Sequence, residues 1–169
     1  LKDKTLNEQI DSIKKQLLNY KIKPDYQENL DLNINIKNLN KQLKEIKIKS
    51  IIKDKSKNII KDIKVDTFIL RKQILKDLPS KELRNIVDES KKDIKEGIIV
   101  SFSIFEGKVG VAVGITERLI SKYDAVKLVK IASKVLGGKG GGGRKDFAQA
   151  GGQDKNKINE AFDKIKSLI

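Results

Sequence analysis

Glycines and cations are concentrated in one stretch of the chain, residues 137–152, which reads Gly-Gly-Lys-Gly-Gly-Gly-Gly-Arg-Lys-Asp-Phe-Ala-Gln-Ala-Gly-Gly. This glycine-rich segment holds 8 of the 12 glycines of the protein. Glycine is needed where the chain takes φ > 0 or where a partner approaches the backbone closely. Exposed backbone N–H groups beside Lys139, Arg144 and Lys145 would suit an anion such as phosphate. The segment is therefore the first candidate for a binding site.

Three interpretations of the glycine-rich segment are open. A flexible linker is the simplest, although the segment ends in Asp-Phe-Ala-Gln-Ala and periodic apolar patterns flank it. A nucleotide loop is suggested by Gly138, Gly140 and Gly143, which match G-x-G-x-x-G, but that fingerprint should leave a strand, whereas a helical apolar pattern precedes it here. The Walker pattern also fails, because Arg144-Lys145 stands where Lys-Ser/Thr is required. A rigid loop that presents backbone donors and cations to a nucleic acid fits best.

The overall composition favours a polyanionic partner. The 169 residues are 38% hydrophobic, enough for one compact domain with an extension, and the net charge is +14. A lysine-rich composition can also reflect coding bias, so the arginines are more informative, because a guanidinium makes bidentate phosphate and base-edge contacts. The four arginines are Arg71, Arg84, Arg118 and Arg144.

Several chemistries lack their residues, since the chain contains no cysteine, histidine, tryptophan or methionine. Disulfides, Cys/His zinc sites and Ser-His-Asp or Cys-His catalysis are excluded from these residues alone. The acidic pairs Asp88/Glu89 and Asp93/Glu96 are interpreted as solvated helix faces. We therefore predict no catalytic residue, no metal ligand and no cofactor in this chain. We also expect a cytoplasmic piece of a longer protein, with no membrane segment.

Residues 1–56 are predicted to form a helical arm. Apolar residues recur at heptad spacing on both sides of a break at Lys23-Pro24-Asp25, which predicts an antiparallel hairpin of two helices. A local structural arm and a self-association surface, which would give a homodimer through residues 1–56, both remain open. The seam residues are Leu6, Ile10, Ile13, Leu17, Leu32, Ile36, Leu39, Leu43 and Ile46.

Residues 57–169 are predicted to form a small globular domain. A strand is expected over Ile63–Leu70, a helix from an N-cap at Ser80 to near Gly97, and a hairpin of Ile98–Phe105 and Lys108–Ile115 around Glu106-Gly107. Further helices are expected after Asp124 and from Asp154, with the glycine-rich loop between them. The predicted fold class is α+β, with helices packed on a small mixed sheet that follows the helical hairpin.

The glycine-rich segment resembles the C-terminal signature of alanyl-tRNA synthetases. The hairpin containing Phe-Glu-Gly-Lys-Val and the earlier Leu78-Pro79 extend the resemblance over residues 58–169. Lys145 and Phe147 depart from the proline and methionine usual in the family, and the loss of proline loosens φ at that point. The resemblance implies a C-Ala domain, related to the DHH-associated domain, preceded by a helical segment. It also implies binding to the elbow of alanine tRNA and a bridge between upstream aminoacylation and editing domains, which would use ATP, Mg and Zn.

The residues that we expect to contact the tRNA follow from this resemblance. Lys139, Arg144 and Lys145 would contact phosphates, and Gln149 would lie near ribose or base edges. Backbone N–H donors and close approach would come from Gly138, Gly140, Gly141, Gly142 and Gly143. Asp146 is expected to cap the segment after the loop, and Phe147 is expected to be a core residue; RNA contact is the alternative for each.

Two other functions remain open from the sequence. One is an accessory substrate-binding domain of a DHH-type phosphoesterase, whose glycine motif tends to be shorter and to carry a histidine that this chain lacks. The other is a pure oligomerisation module in which the arm drives assembly.

Overall fold

The computed structural model describes residues 2–54 and 56–169 and divides into two compact units, Leu1–Ile51 and Ile52–Ile169. Leu1 and Lys55, which the predicted arm includes, lie outside the described residues. The predicted fold class is confirmed, because a pair of helices is followed by a six-stranded mixed sheet with packed helices.

The first unit contains the predicted helical hairpin. Helix α1 spans Lys2–Asn19 and α2 spans Leu32–Lys53. The connection covers residues 20–31 and so extends beyond the predicted break at Lys23-Pro24-Asp25. Buried Asn35 holds it by donating to the carbonyl oxygens of Gln27 at 2.8 Å and Leu30 at 3.2 Å. The predicted seam is confirmed, since its central residues are buried together: Ile10, Ile13, Leu17, Leu39 and Leu43.

The second unit is built on one sheet with the order β1-β2-β3-β4-β6-β5. Its strands are β1 Ile59–Val65, β2 Phe68–Lys76, β3 Gly97–Phe105, β4 Lys108–Ile115, β5 Gly141–Arg144 and β6 Phe147–Gly152. Strands β2 and β3 run parallel, and every other neighbouring pair is antiparallel. The sheet is therefore mixed, as predicted, and the glycine-rich segment supplies two of its strands.

The prediction of a single strand over Ile63–Leu70 is wrong. The chain turns at Asp66-Thr67, and β1 and β2 pair around that turn with Val65 opposite Phe68. Asp66 has φ of +48°, a left-handed conformation that aspartate tolerates better than most residues. The apolar residues continue through the turn, so the pattern concealed it.

Three helices cover the two faces of the sheet. Helices α4 (Ala125–Val135) and α5 (Ile158–Lys166) bury one face, in a core with Val100 and Phe102 of β3. Helix α3 (Leu83–Asp93) packs on β3 and β4 from the other side. Glycines at positions 110 and 114 let it approach, because an added Cβ there would overlap with side chains at its start and middle.

Of the predicted helix starts, the one at Asp124 is confirmed, because its carboxylate accepts from the amide of Val126 at 2.9 Å. The carboxylate of Asp154 accepts from the amide of Asn156 at 3.0 Å, but it caps a 3₁₀ turn, Lys155–Lys157, and α5 begins only at Ile158. Ser80 is not the N-cap of α3. It begins a 3₁₀ turn, Ser80–Glu82, that follows Pro79, and Glu82 then precedes the α-helix without a side-chain cap.

Candidate nucleic-acid interface

The glycine-rich segment folds as a β-hairpin rather than as the predicted loop. Strand β5 pairs antiparallel with β6, from Gly141 opposite Ala150 to Arg144 opposite Phe147, and Lys145-Asp146 forms the turn. Strand β5 is the last in the sheet order of the described residues. An edge strand directs half of its backbone N–H and C=O groups away from its partner. The hairpin therefore offers backbone hydrogen-bonding groups to an approaching molecule.

Several of the glycines are required by packing inside the hairpin. The amide of Gly138 donates to the carbonyl oxygen of Ser133 at 2.8 Å, so it is used within the protein. The buried hydroxyl of Ser133 donates to the carbonyl oxygen of Gly151 at 2.8 Å. A Cβ at Gly138 would overlap with that carbonyl and that hydroxyl. Gly141 and Gly143 face β6 equally closely, so a side chain at either would meet the backbone of β6.

Gly142 is different from these glycines because no atom within 4 Å would contact a Cβ placed on it. Its φ lies outside the left-handed region, so the backbone conformation does not require glycine either. It is exposed, and it lies opposite Gln149 on the edge strand. At Gly142 the bare backbone therefore faces open space, although neither packing nor conformation requires a glycine there.

Lys139 belongs to a group of lysines on the α4 side of the hairpin. It lines a cavity of about 390 Å³ together with Lys130 and Lys134, which are one helical turn apart on α4. All three lysines are exposed. The remaining lining residues are Gly138, Gly140 and Gly141. This α4 lysine group, Lys130, Lys134 and Lys139, brings three cations to one side of the glycine backbone.

Arg144 and Lys145 lie away from Lys139, at the turn of the hairpin. The Arg144 Nε is 3.3 Å from a carboxylate oxygen of Asp146, and 69% of the arginine side chain is exposed. Both cations line a second cavity, of about 610 Å³, which also includes Lys91 of α3. The predicted cations therefore divide into two groups, one beside α4 and one beside α3.

RNA contact was the alternative interpretation for Asp146 and Phe147, and both residues are held by contacts within the protein. The carbonyl oxygen of Asp146 accepts from the amide of Ile115 at 2.8 Å and from Lys91 Nζ at 3.0 Å. The prediction that Asp146 caps the following segment is wrong, because Asp146 lies in the turn before a strand. Phe147 is 8% exposed, as expected for a core residue, and the Arg84 guanidinium lies 5.1 Å from its ring centroid.

Gln149 is half-buried on the α3 side of the hairpin. Its Nε2 donates to the carbonyl oxygen of Ser80 at 2.7 Å, just before α3. The neighbouring residues of β6, Ala148 and Ala150, point to the opposite face and join the core under α4. Because its amide nitrogen is bound within the protein, Gln149 can offer its side-chain oxygen to a hydroxyl of a ligand.

Two cations of α3 also lie beside the hairpin: Lys91, which the sequence analysis did not identify, and Arg84, which it named among the informative arginines but did not assign to the site. Burial is the main cause that lowers the pKa of Lys91; the cations Arg144 and Arg84 lower it further, while Asp146 and Asp88 oppose this. The three cations are thus close enough to influence one another. The sequence did indicate that Arg84 and Lys91 share a helix face, because they are two helical turns apart.

No metal site is evident in residues 2–54 and 56–169, where no group of three or more carboxylates is arranged to hold an ion. Asp93 instead pairs with Arg71 at 3.5 Å, and Glu96 pairs with Arg118 at 3.9 Å. Within the same residues, no helix has the length and apolar character to cross a membrane.

Residues 66–169 match the family of the DHHA1 domain. The alanine–tRNA ligase of Hyphomonas neptunium is 49% identical over 89 residues, and that of Parvibaculum lavamentivorans is 49% identical over 90 residues; each match covers 53% of this chain. The chain spans only about 10% of the length of these relatives.

Two solved structures are similar in fold. The C-Ala domain from Aquifex aeolicus alanyl-tRNA synthetase superposes with a TM-score of 0.60 and 30% identity, covering 64% of this chain and 96% of that one. The DHH domain of a member of the s1p family of ribosomal proteins gives a TM-score of 0.52 at 16% identity, covering 80% of this chain and 33% of that one. At this identity the second likeness concerns the fold alone.

Proposed function

Since the chain belongs to the DHHA1 domain family and carries a C-Ala domain of the alanyl-tRNA synthetase type, we propose that its glycine hairpin binds tRNA at the elbow of the L-shaped molecule. The observation that carries this proposal is Gly142, whose bare backbone faces open space on an edge strand. Cations flank that strand at both ends, Lys139 before it and Arg144 at its end. The net charge of +14 favours the same kind of partner.

The hairpin would bind RNA by combining close approach with charge. Without a Cβ at Gly142, a ribose or a base can reach the outward N–H and C=O groups of β5. Arg144 can make two parallel hydrogen bonds to one phosphate, whereas Lys139 and Lys145 act as point charges. The side-chain oxygen of Gln149 can accept from a ribose 2′-hydroxyl, the group that distinguishes RNA from DNA. Phosphate contacts would position the RNA, and the contacts at Gly142 and Gln149 would select it.

The role of the whole protein follows from the same similarity. We propose that this domain bridges upstream aminoacylation and editing domains by holding the tRNA that both use. Alanine activation, with its ATP, Mg and Zn, would belong to those upstream domains, and a role in translation would be carried out in the cytoplasm. Self-association through residues 1–56 stays a proposal, as does an accessory role in a phosphoesterase, for which the 16% identical DHH relative offers only a shared fold.

A salt-dependent binding titration of the purified chain against several tRNAs tests the proposal. Lys139→Ala and Arg144→Ala should each reduce the slope of log K against log salt by roughly 0.7–0.9, because each phosphate contact releases condensed counterions. Both variants should stay folded. Lys139 is exposed, and the Arg144 side chain is 69% exposed, so its pair with the partly buried Asp146 is worth at most about 1 kcal/mol.

The matched control is Lys108→Ala, an exposed lysine at the far end of β4 from the hairpin turn. Lys108 pairs with Phe105 of β3 rather than with a hairpin strand, so removing its charge should leave the slope equal to that of the wild type. The proposal fails if the wild-type chain does not bind tRNA, or if the two hairpin variants behave like this control.

A further inference from the structure

Helix α3 presents two cations to the hairpin on the side opposite α4. Arg84 lies over the Phe147 ring, and Lys91 donates to the carbonyl oxygen of Asp146 at 3.0 Å. Both cations therefore contact the hairpin itself rather than only the surface of the helix. Arg144 joins them, because it lies opposite Phe147 in the β5–β6 register, and directly opposed residues point to the same face of a sheet.

These three residues, which we call the α3 cation group, share one electrostatic environment. Lys91 is partly buried, and the repulsion from Arg84 and Arg144 adds to the burial that lowers its pKa. Asp146 and Asp88 attract the charge of Lys91 more strongly than the two arginines repel it, so burial is what holds its pKa below the usual value. An anion beside Lys91 would offset the cost of burying its charge.

A cavity beside the α3 cation group gives such an anion a place. Its volume is about 610 Å³, within the range of small-ligand sites in proteins. Three cations, Lys91, Arg144 and Lys145, and two apolar residues, Ile115 and Ile120, line it, whereas Arg84 is outside this lining and contacts the Phe147 ring. A phosphodiester with its adjoining sugar would offer charged oxygens to the cations and a carbon framework to the apolar residues. The full lining is Lys91, Ile115, Thr116, Glu117, Ile120, Arg144, Lys145 and Asp146.

We propose that the α3 cation group, Arg84, Lys91 and Arg144, is a second phosphodiester-binding site, which holds the RNA backbone after it passes the edge of β5. The inference rests on the proposed tRNA binding by the hairpin and adds a site on the other side of that hairpin from the α4 lysine group. One strand of RNA would thus contact cations on both faces of the sheet edge.

The first test is a salt titration of tRNA binding with Lys91→Gln. Loss of one phosphate contact should reduce the slope by roughly 0.7–0.9 and weaken binding about 5- to 8-fold at 0.1 M salt, from counterion release alone. Lys91→Arg keeps the charge and should bind within about twofold of the wild type. Lys108→Gln, at the far end of β4, is the matched control and should leave slope and affinity unchanged.

The second test avoids any change to the Lys91–Asp146 contact. In the wild-type chain, the rate at which an amine-reactive acetylating reagent modifies Lys91 should fall several-fold when tRNA is added, while the rate at Lys108 stays the same. Arg84→Gln, at an exposed position, should reduce the salt slope as Lys91→Gln does.

The two tests distinguish failure of the second phosphodiester site from failure of the hairpin interface. If tRNA binds and Arg144→Ala weakens binding, but Lys91 stays as reactive with tRNA as without it and Arg84→Gln matches the control, the second site is refuted and the hairpin interface stands. If the wild-type chain does not bind tRNA, both proposals fall.

Discussion

Gly138→Ala tests whether the glycine-rich segment is a packed hairpin or an unstructured linker. The added methyl would overlap with the carbonyl oxygen of Gly151 and the hydroxyl of Ser133, two groups that are hydrogen-bonded to each other at 2.8 Å. One of these atoms is backbone and the other belongs to a fully buried side chain, so neither can swing away. The substitution should therefore separate the start of the hairpin from the end of α4.

The magnitude follows from three contributions. Overpacking a close-packed site costs about 1–3 kcal/mol, and loss of the Ser133–Gly151 hydrogen bond costs about 1 kcal/mol more. Alanine also restricts the unfolded chain more than glycine does, which stabilises the folded state by about 0.4–1 kcal/mol. The net loss is about 1–3.6 kcal/mol, which lowers Tm by roughly 4 °C per kcal/mol for a unit of this size.

Gly142→Ala is the matched control, because its methyl would project into open space. We expect its Tm to equal or slightly exceed that of the wild type, while its affinity for tRNA falls, since the methyl occupies the place where RNA approaches. Circular dichroism melts and a binding titration measure the two effects. Equal Tm values for Gly138→Ala and the wild type would refute the packing argument.

Three further predictions concern other parts of the molecule. Ile13→Asp buries a charge in the hairpin seam, at a cost of several kcal/mol; helical signal should fall while the unit over residues 52–169 melts unchanged, and an unaltered spectrum would contradict the buried seam. The unfolded chain keeps the Lys91 proton to a higher pH than the folded chain, whose pKa is lowered, so stability should rise as pH rises through the folded value towards about 10.4. Urea unfolding should show a steeper rise in the wild type than in Lys91→Met, which keeps Lys72, another lysine whose pKa is lowered by burial; a constant difference between the two would oppose this. The purified chain should not catalyse alanine-dependent pyrophosphate exchange or deacylation of mischarged tRNA, and activity above a mock preparation would overturn this.

The sequence predicted those elements whose signals are local. The heptad spacing of Ile10, Ile13 and Leu17 identified α1. The helical turns after Asp124 and Asp154 were predictable because each carboxylate accepts a hydrogen bond from the amide two residues further on. In each case the residues that determine the element lie within a few positions of one another.

Elements determined by distant contacts were not predictable in the same way. Glycine is a poor strand former, so the β5–β6 hairpin depends on the pairing of β6 with β4, which brings Phe147 opposite Gly114 from far along the chain. The turn at Asp66 was missed because its left-handed residue is an aspartate, which indicates a turn less strongly than a glycine does. The contacts of Arg84 and Lys91 with the hairpin bring together residues more than fifty positions apart, which no local pattern reveals.

The most direct measurement of the hairpin interface is a titration of the isotope-labelled chain with tRNA, followed through its backbone amide NMR signals. We expect the amides of β5, Gly141–Arg144, to shift or broaden first, together with those of Lys130, Lys134 and Lys139. The amide of Gly138, which is hydrogen-bonded inside the protein, should respond less. Signals of β5 that stay unchanged while those of residues 2–51 respond would contradict the hairpin interface and assign RNA binding to the helical arm.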